Sequence, residues 1–171
     1  LFRMMQGMQG DPIHAYQSHH ENVFVHGCGT GFHQQLMADV SLNLGFSATA
    51  MHYVSVKPME IPTHVHAVCA DPESRAAFAQ QAAQDWENIL LARAAELMPG
   101  GRFVCLNFGI DEKGHYLGNT GGQHMFDKFH QFWLALLEDG SITADEYKRA
   151  SFAQYYRTID EFCAPFSDPD S

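Results

Sequence analysis

Pro72-Glu73-Ser74-Arg75-Ala76-Ala77-Phe78 opens the stretch that decides the fold, and Pro99-Gly100-Gly101-Arg102-Phe103-Val104-Cys105-Leu106-Asn107-Phe108 closes it. Asp71 suits a helix cap and Pro72 the first helical turn. Phe78, Ala82, Trp86, Ile89, Leu90, Ala94 and Leu97 recur every three or four residues, an apolar stripe that predicts a helix to Met98. The Pro-Gly-Gly triplet should end that helix in a turn. Arg102 to Phe108 then reads as a buried strand stopped by Gly109. A long helix returning to a buried strand is half of a β–α–β unit, which predicts a parallel sheet.

Upstream, Asn22-Val23-Phe24-Val25-His26 reads as a short strand or its end, and Ser41 to Phe46 as a second strand. Downstream, residues 109–122 are rich in Gly, Asp and Asn and predict a loop. His124 to Glu138 predicts a helix with an aromatic face of Phe126, Phe129, Trp133 and Leu136/Leu137, closed by Gly140. Thr143-Ala144-Asp145-Glu146 has the form of a capping box and starts a short helix. Another is expected after Thr158.

The 171 residues suit one domain. A formal net charge of −10 argues against a nucleic-acid footprint and against bulk attraction of an anionic ligand, so any acid must be held by local donors. No apolar run approaches the ~20 residues that cross a bilayer. Cys28, Cys69, Cys105 and Cys163 show no short pairing interval, consistent with reduced thiols in the cytoplasm. Leu1 to Met5 and Asp168 to Ser171 read as cut ends.

Three chemical readings compete. Gly27-Cys28-Gly29-Thr30-Gly31 looks like a cofactor loop, but no confirming helix follows directly and Asp39 lies too near. His64 and His66, with His52 or Cys69, offer nitrogen and sulfur for a metal, yet no carboxylate completes a familiar spacing. A nucleophilic serine lacks its G-x-S-x-G elbow.

The order of the pieces resembles the SABATH family of carboxyl and N-methyltransferases, closer to bacterial than to plant members. Leu97-Met98-Pro99-Gly100-Gly101-Arg102-Phe103-Val104 is similar to the turn before the fifth strand of class I methyltransferases. Thr30-Gly31-Phe32-His33 stands where the family has G-S-F-Y. Ser47-Ala48-Thr49-Ala50-Met51-His52-Tyr53-Val54-Ser55 stands where it has S-S-Y-S-L-(M/H)-W-L-S, and the Phe-to-Trp interval equals the Phe32-to-Tyr53 interval. Leu91 to Leu97 is similar to L-K-C-R-A-E-E-L. The glycine cluster then falls on the family's V-P-G-S-F segment. Leu1-Phe2 looks like the end of D-F-N-x-L-F, which would put the first cofactor loop upstream.

The resemblance implies an α/β fold: part of a class I methyltransferase Rossmann-like sheet (about residues 1–110) with a helical substrate cap (about 111–171), together a single partial domain. It implies S-adenosyl-L-methionine (SAM) as cofactor, with Gly31, Phe32 and Ser47 beside it, and a small organic acid as acceptor. His52 and Tyr53 would hold the carboxylate, with Phe108, Met125, Phe126 and Tyr155 around the acid's body. A carboxylate with a pKa near ~4 is ionised at neutral pH, so no general base is required and the protein need only position the reactants. Gly31 replaces the family's serine, Thr49 its tyrosine and Tyr53 its tryptophan. Lys148 to Ala153 lacks the Asp and Asn of the plant D-x-F-N motif, so no metal is expected. N-methylation and a non-catalytic binding role stay open, as does a homodimer.

Overall fold

The computed structural model describes residues 19–120 and 123–167. The expectations for Leu1 to Met5, for residues 121 and 122 and for Asp168 to Ser171 lie outside them. The chain divides into two compact units, Leu1–Thr30 and Gly31–Ser171. In the first, residues 19–30 carry turns and irregular backbone but no strand, contrary to the reading of Asn22 to His26. Asn22 takes a positive φ of 60° and Phe24 is largely exposed, so that apolar run has neither strand geometry nor a buried face.

In the second unit, helix α1 runs Pro72–Glu96. Asp71 accepts the Ser74 N–H at 2.9 Å, satisfying one of the helix's open donors, and Pro72 needs no partner for the N–H it lacks. Phe78, Ala82, Trp86 and Ile89 are buried along one face, each large side chain worth roughly 1.5–3 kcal/mol of apolar transfer. The stripe departs from expectation in the last turns: Ala94 is exposed and Leu90 and Leu97 half-buried, while Arg93 and Glu96 are buried as an ion pair.

Strand β1 (Leu42–Ala48) pairs in parallel with β2 (Leu97–Leu106), and α1 is the crossover between them. The expected parallel β–α–β arrangement is therefore present. The Pro-Gly-Gly turn, however, sits inside β2 rather than before it. Leu42 pairs with Leu97 and Leu44 with Arg102, so Met98 to Gly101 bulge out of the ladder. Gly100 has φ +83°, and a Cβ on Gly101 would stand 2.8 Å from the Leu42 carbonyl oxygen. β2 ends at Leu106, two residues short of expectation.

Two pairs of two-residue strands follow. β3 (Gly109–Ile110) runs parallel to β6 (Arg157–Thr158), and β4 (Asn119–Thr120) antiparallel to β5 (Gln123–His124). Helix α2 (Met125–Glu138) is close to its expected bounds, but only Phe126 of its aromatic face is buried; Phe129 and Leu136 are exposed. Helices α3 (Ala144–Arg149) and α4 (Ile159–Cys163) both start at capping boxes, on Thr143 and Thr158.

Candidate functional site

The carboxyl ends of β1 and β2 build the site. After Ala48, Thr49 takes a left-handed φ of 54° and donates its N–H to the Leu106 carbonyl at 2.8 Å. Met51 is fixed at both ends: its N–H reaches Asn107 Oδ1 at 3.1 Å, and its carbonyl oxygen accepts Arg157 Nη1 at 2.5 Å. His52 and Tyr53 follow. The extended segment 153–155 clasps them, with Tyr155 N–H on the His52 carbonyl at 2.8 Å and Val54 N–H on the Ala153 carbonyl at 3.1 Å. Beyond them Ser55 donates N–H and hydroxyl to buried Asp85, at 2.7 and 2.6 Å.

His52 is only 5% exposed and lies among aromatic rings. Its ring centroid is 4.5 Å from Tyr53, 5.4 Å from Phe108 and 5.5 Å from Tyr156. Phe126 continues the group, stacked on His66 at 4.1 Å and 5.9 Å from Tyr156. Met125, Phe108 and Tyr116 pack on the same buried cluster of Val68, Phe126 and Tyr156. Five residues anticipated for the acid (His52, Tyr53, Phe108, Met125 and Phe126) are thus brought together here.

Tyr155 goes elsewhere. Its ring packs with Val54, Ile61, Phe78 and Ala82, and its hydroxyl donates to Glu161 Oε1 at 2.7 Å. Neighbours on an extended chain face opposite sides, so Tyr156 supplies the ring that meets His52. Sequence reading did not place Tyr156, His66 or Tyr116 here, and considered His66 only as a metal ligand. The first was legible in principle from the alternation at 155 and 156; the other two come from loops with no periodicity.

The electrostatics favour uncharged imidazoles. Burial, and then the Arg157 charge, lower the pKa of His52; burial lowers His66 to about 3. Burial pushes the Tyr156 phenol up to about 12, so it too stays neutral. His52 Nδ1 is buried and has no hydrogen-bond partner. An unsatisfied buried imidazole nitrogen is costly, and a ligand would relieve it.

Among the anticipated cofactor residues, Phe32 adjoins this group through Met51. Phe32 packs on the buried cluster of Met51, Trp86 and Ile89, one residue from His52. His33 Nε2 lies 3.0 Å from the Tyr53 carbonyl oxygen. The segment after Gly31 is tied to α1: Arg93 donates to the carbonyls of Phe32 and Gln34 at 3.0 and 2.8 Å, while Glu96 accepts the N–H groups of Leu36 and Met37. Ser47 is half-buried near the end of β1. A Cβ added to Gly31 meets nothing within 4 Å.

A cavity of about 1160 Å³ opens instead along the outer face of α1, lined by Gln80, Gln84, Leu91, Phe103 and Phe166 among others. None of its lining residues belongs to the ring cluster. Its lining is mostly apolar, with Gln80, Gln81, Gln84 and Glu87 of the helix among it. Near the ring cluster, donor atoms of His64, Cys69 and Asp127 lie within 4.8 Å of one another.

A parallel β–α–β pair with a polar–aromatic cluster at its carboxyl ends is the layout of an α/β, Rossmann-like domain. The sequence profile of the SAM-dependent carboxyl methyltransferases matches residues 1–166, and the chain belongs to that family. Among solved structures, loganic acid methyltransferase with SAH is similar, with a TM-score of 0.70 at 20% identity. The match covers 90% of this chain and 46% of that one, so the chain spans less than half the length of this solved relative. At that identity the likeness shows the fold. The comparison with curated proteins gives no match.

Proposed function

We propose that the chain supplies the acid-binding pocket, and one side of the cofactor site, of an enzyme that methylates the carboxylate of a small organic acid. The observation that carries this reading is His52: a buried imidazole kept neutral by its surroundings, with Nδ1 facing no protein partner. With its proton on Nδ1 it would donate to one carboxylate oxygen, and Tyr53 would offer a hydroxyl beside it. Neutral donors suit this task, because a cationic grip would favour the charged acid over the less charged transition state. The rings of Phe108, Phe126 and Tyr156, with Met125, would enclose the acid's apolar body.

The residues anticipated for SAM fit one edge of a nucleoside site: a ring at Phe32, a hydroxyl at Ser47 and open backbone at Gly31. When bound, SAM supplies an electrophilic methyl group. The protein's contribution is to hold the acceptor oxygen in place and keep water away. In this reading the sheet portion, about 1–110, carries the cofactor edge together with His52, Tyr53 and Phe108, and the cap portion, about 111–171, closes the acid pocket with Met125, Phe126 and Tyr156. Cys28, Cys69, Cys105 and Cys163 are free thiols, which supports a cytoplasmic setting. No helix of the described residues is long and apolar enough to cross a membrane. A homodimer is the assembly the family resemblance suggests, and sedimentation of the full-length protein tests it.

Labelled-methyl transfer by the full-length protein to parallel panels of acids and heterocyclic amines tests the function. Carboxylate methylation gives a product whose label is released by mild base. Base-stable label would identify an N-methyltransferase instead, and no transfer to either panel would point to a binding role.

A further inference from the structure

The loop carrying His64, His66 and the 3₁₀ turn Ala67–Cys69 meets the first turn of α2 at a group of ligand-type side chains. His64 Nε2, Cys69 Sγ and a carboxylate oxygen of Asp127 all lie within 4.8 Å of one another. A tetrahedral zinc ion with bonds of ~2.0–2.3 Å holds its ligands roughly 3.3–3.8 Å apart, so small rotamer shifts suffice. His64 Nε2 and Asp127 Oδ1 approach to 3.2 Å, yet the nitrogen is buried without a hydrogen bond. Both atoms border the same space without the alignment of a donor and its acceptor.

From this geometry we propose that His64, Cys69 and Asp127 bind a transition-metal dication of the zinc type, which staples the 64–69 loop to the start of α2. Mixed nitrogen, sulfur and oxygen donors suit zinc and disfavour magnesium or calcium. Thiolate and carboxylate together balance the ion's two charges in a half-buried site, and the Cys69 thiol proton leaves to solvent on binding. His64 Nδ1 stands 3.1 Å from the His66 N–H and 3.3 Å from the His66 carbonyl oxygen. It can therefore accept from the first when the metal is absent and donate to the second when Nε2 is a ligand, the backing usual for metal-bound histidine. The His130 ring lies 4.6 Å from that of His64, one turn along α2 from Asp127.

The sequence reading set a metal aside because no carboxylate completed the spacing; the fold supplies one from a distant helix. The staple's role is positional. His66 lies two residues from His64 and Phe126 immediately precedes Asp127, so the ion would fix the 4.1 Å stack that walls the acid pocket. The competing arrangement needs no metal: Cys69 Sγ and Tyr116 Oη are 2.6 Å apart and can satisfy each other.

Titration of the metal-stripped full-length protein with cobalt(II) separates the two. A metal site predicts a sulfur-to-cobalt charge-transfer band that saturates at one equivalent and is displaced by zinc. Cys69→Ser should abolish the band, and Asp127→Asn and His64→Gln should each weaken cobalt binding at least ~tenfold. The same changes at the exposed thiols Cys28 and Cys163 should leave it intact. Zinc should also raise the Tm of the wild type but not of Cys69→Ser. No band in the wild type, an undiminished band in Cys69→Ser, or unchanged affinity in Asp127→Asn would overturn the site in favour of the metal-free pair. Asp127 is partly exposed, so its variant serves if Cys69→Ser does not fold. None of these readouts involves methyl transfer, so their failure leaves the carboxylate reading standing.

Discussion

Arg157 holds Met51: the buried guanidinium donates to the Met51 carbonyl oxygen at 2.5 Å and also to that of Ala82. It lies 5.8 Å from the Trp86 ring centroid and 5.6 Å from that of Phe162. One side chain thus locks the exit of β1 to α1, immediately before His52. Arg157→Met should cost about 2–5 kcal/mol, since two buried carbonyls lose a charged donor. Urea unfolding measures this, and Arg157→Lys should recover only part of the loss.

Removing the donor at His52 while keeping a ring there isolates its role. His52→Phe should lower kcat/KM for the acid about ten- to a hundredfold, the worth of a hydrogen bond to a charged group at ~1.5–3 kcal/mol. Tyr53→Phe should raise the acid KM. In both variants the affinity for S-adenosylhomocysteine, measured by calorimetry, should be unchanged.

Stability should fall in mild acid. His52, His64 and His66 all have pKa values lowered in the folded state, His66 to about 3, so the unfolded chain binds more protons below its ordinary value near ~6.5. Their contribution is complete above that value and is lost as pH drops, each histidine adding at most about 1.4 kcal/mol per pH unit. Carboxylates held low by hydrogen bonds, such as Asp71 at about 2 and Glu96, lose their contribution only in stronger acid. Denaturation midpoints between pH ~7 and ~5 therefore report the imidazoles. His66→Gln should flatten that slope.

Gly31→Ser restores the hydroxyl that the family carries at this position. Open space around the site predicts a stability change within about ±0.5 kcal/mol and tighter cofactor binding. Gly101→Ala is the contrast. Its Cβ would collide with the Leu42 and Met98 carbonyl oxygens at 2.8 and 2.9 Å, so it should be clearly destabilising by thermal unfolding.

Much of this was legible because it was local. The cap at Asp71, the α1 stripe from Phe78 to Ile89 and the capping boxes at Thr143 and Thr158 are patterns within a few residues of each other. Gly100 and Gly101 announced a break, but not that β2 would begin before it, since pairing to β1 is a long-range matter. Tertiary context also placed Arg93 and Glu96 inside, where each serves backbone groups of residues 32–37 that no helical pattern reveals. His52, Tyr53, Phe108 and Phe126 were anticipated through resemblance to a family. Their convergence depends on segment 153–157, whose sequence shows only alternation. Asp127 beside His64 had no sequence signal at all.

The grip of His52 on a carboxylate is tested most directly by nitrogen NMR of ¹⁵N-histidine-labelled full-length protein. The spectrum is taken with S-adenosylhomocysteine, before and after the acid that the protein methylates best is added. Capture predicts a neutral imidazole with its proton on Nδ1, whose Nδ1 resonance shifts on adding the acid and shifts less with the matching primary amide, whose neutral oxygen is the weaker acceptor. An imidazole unmoved by a methylated acid, or one that becomes doubly protonated on binding it, would contradict the assignment.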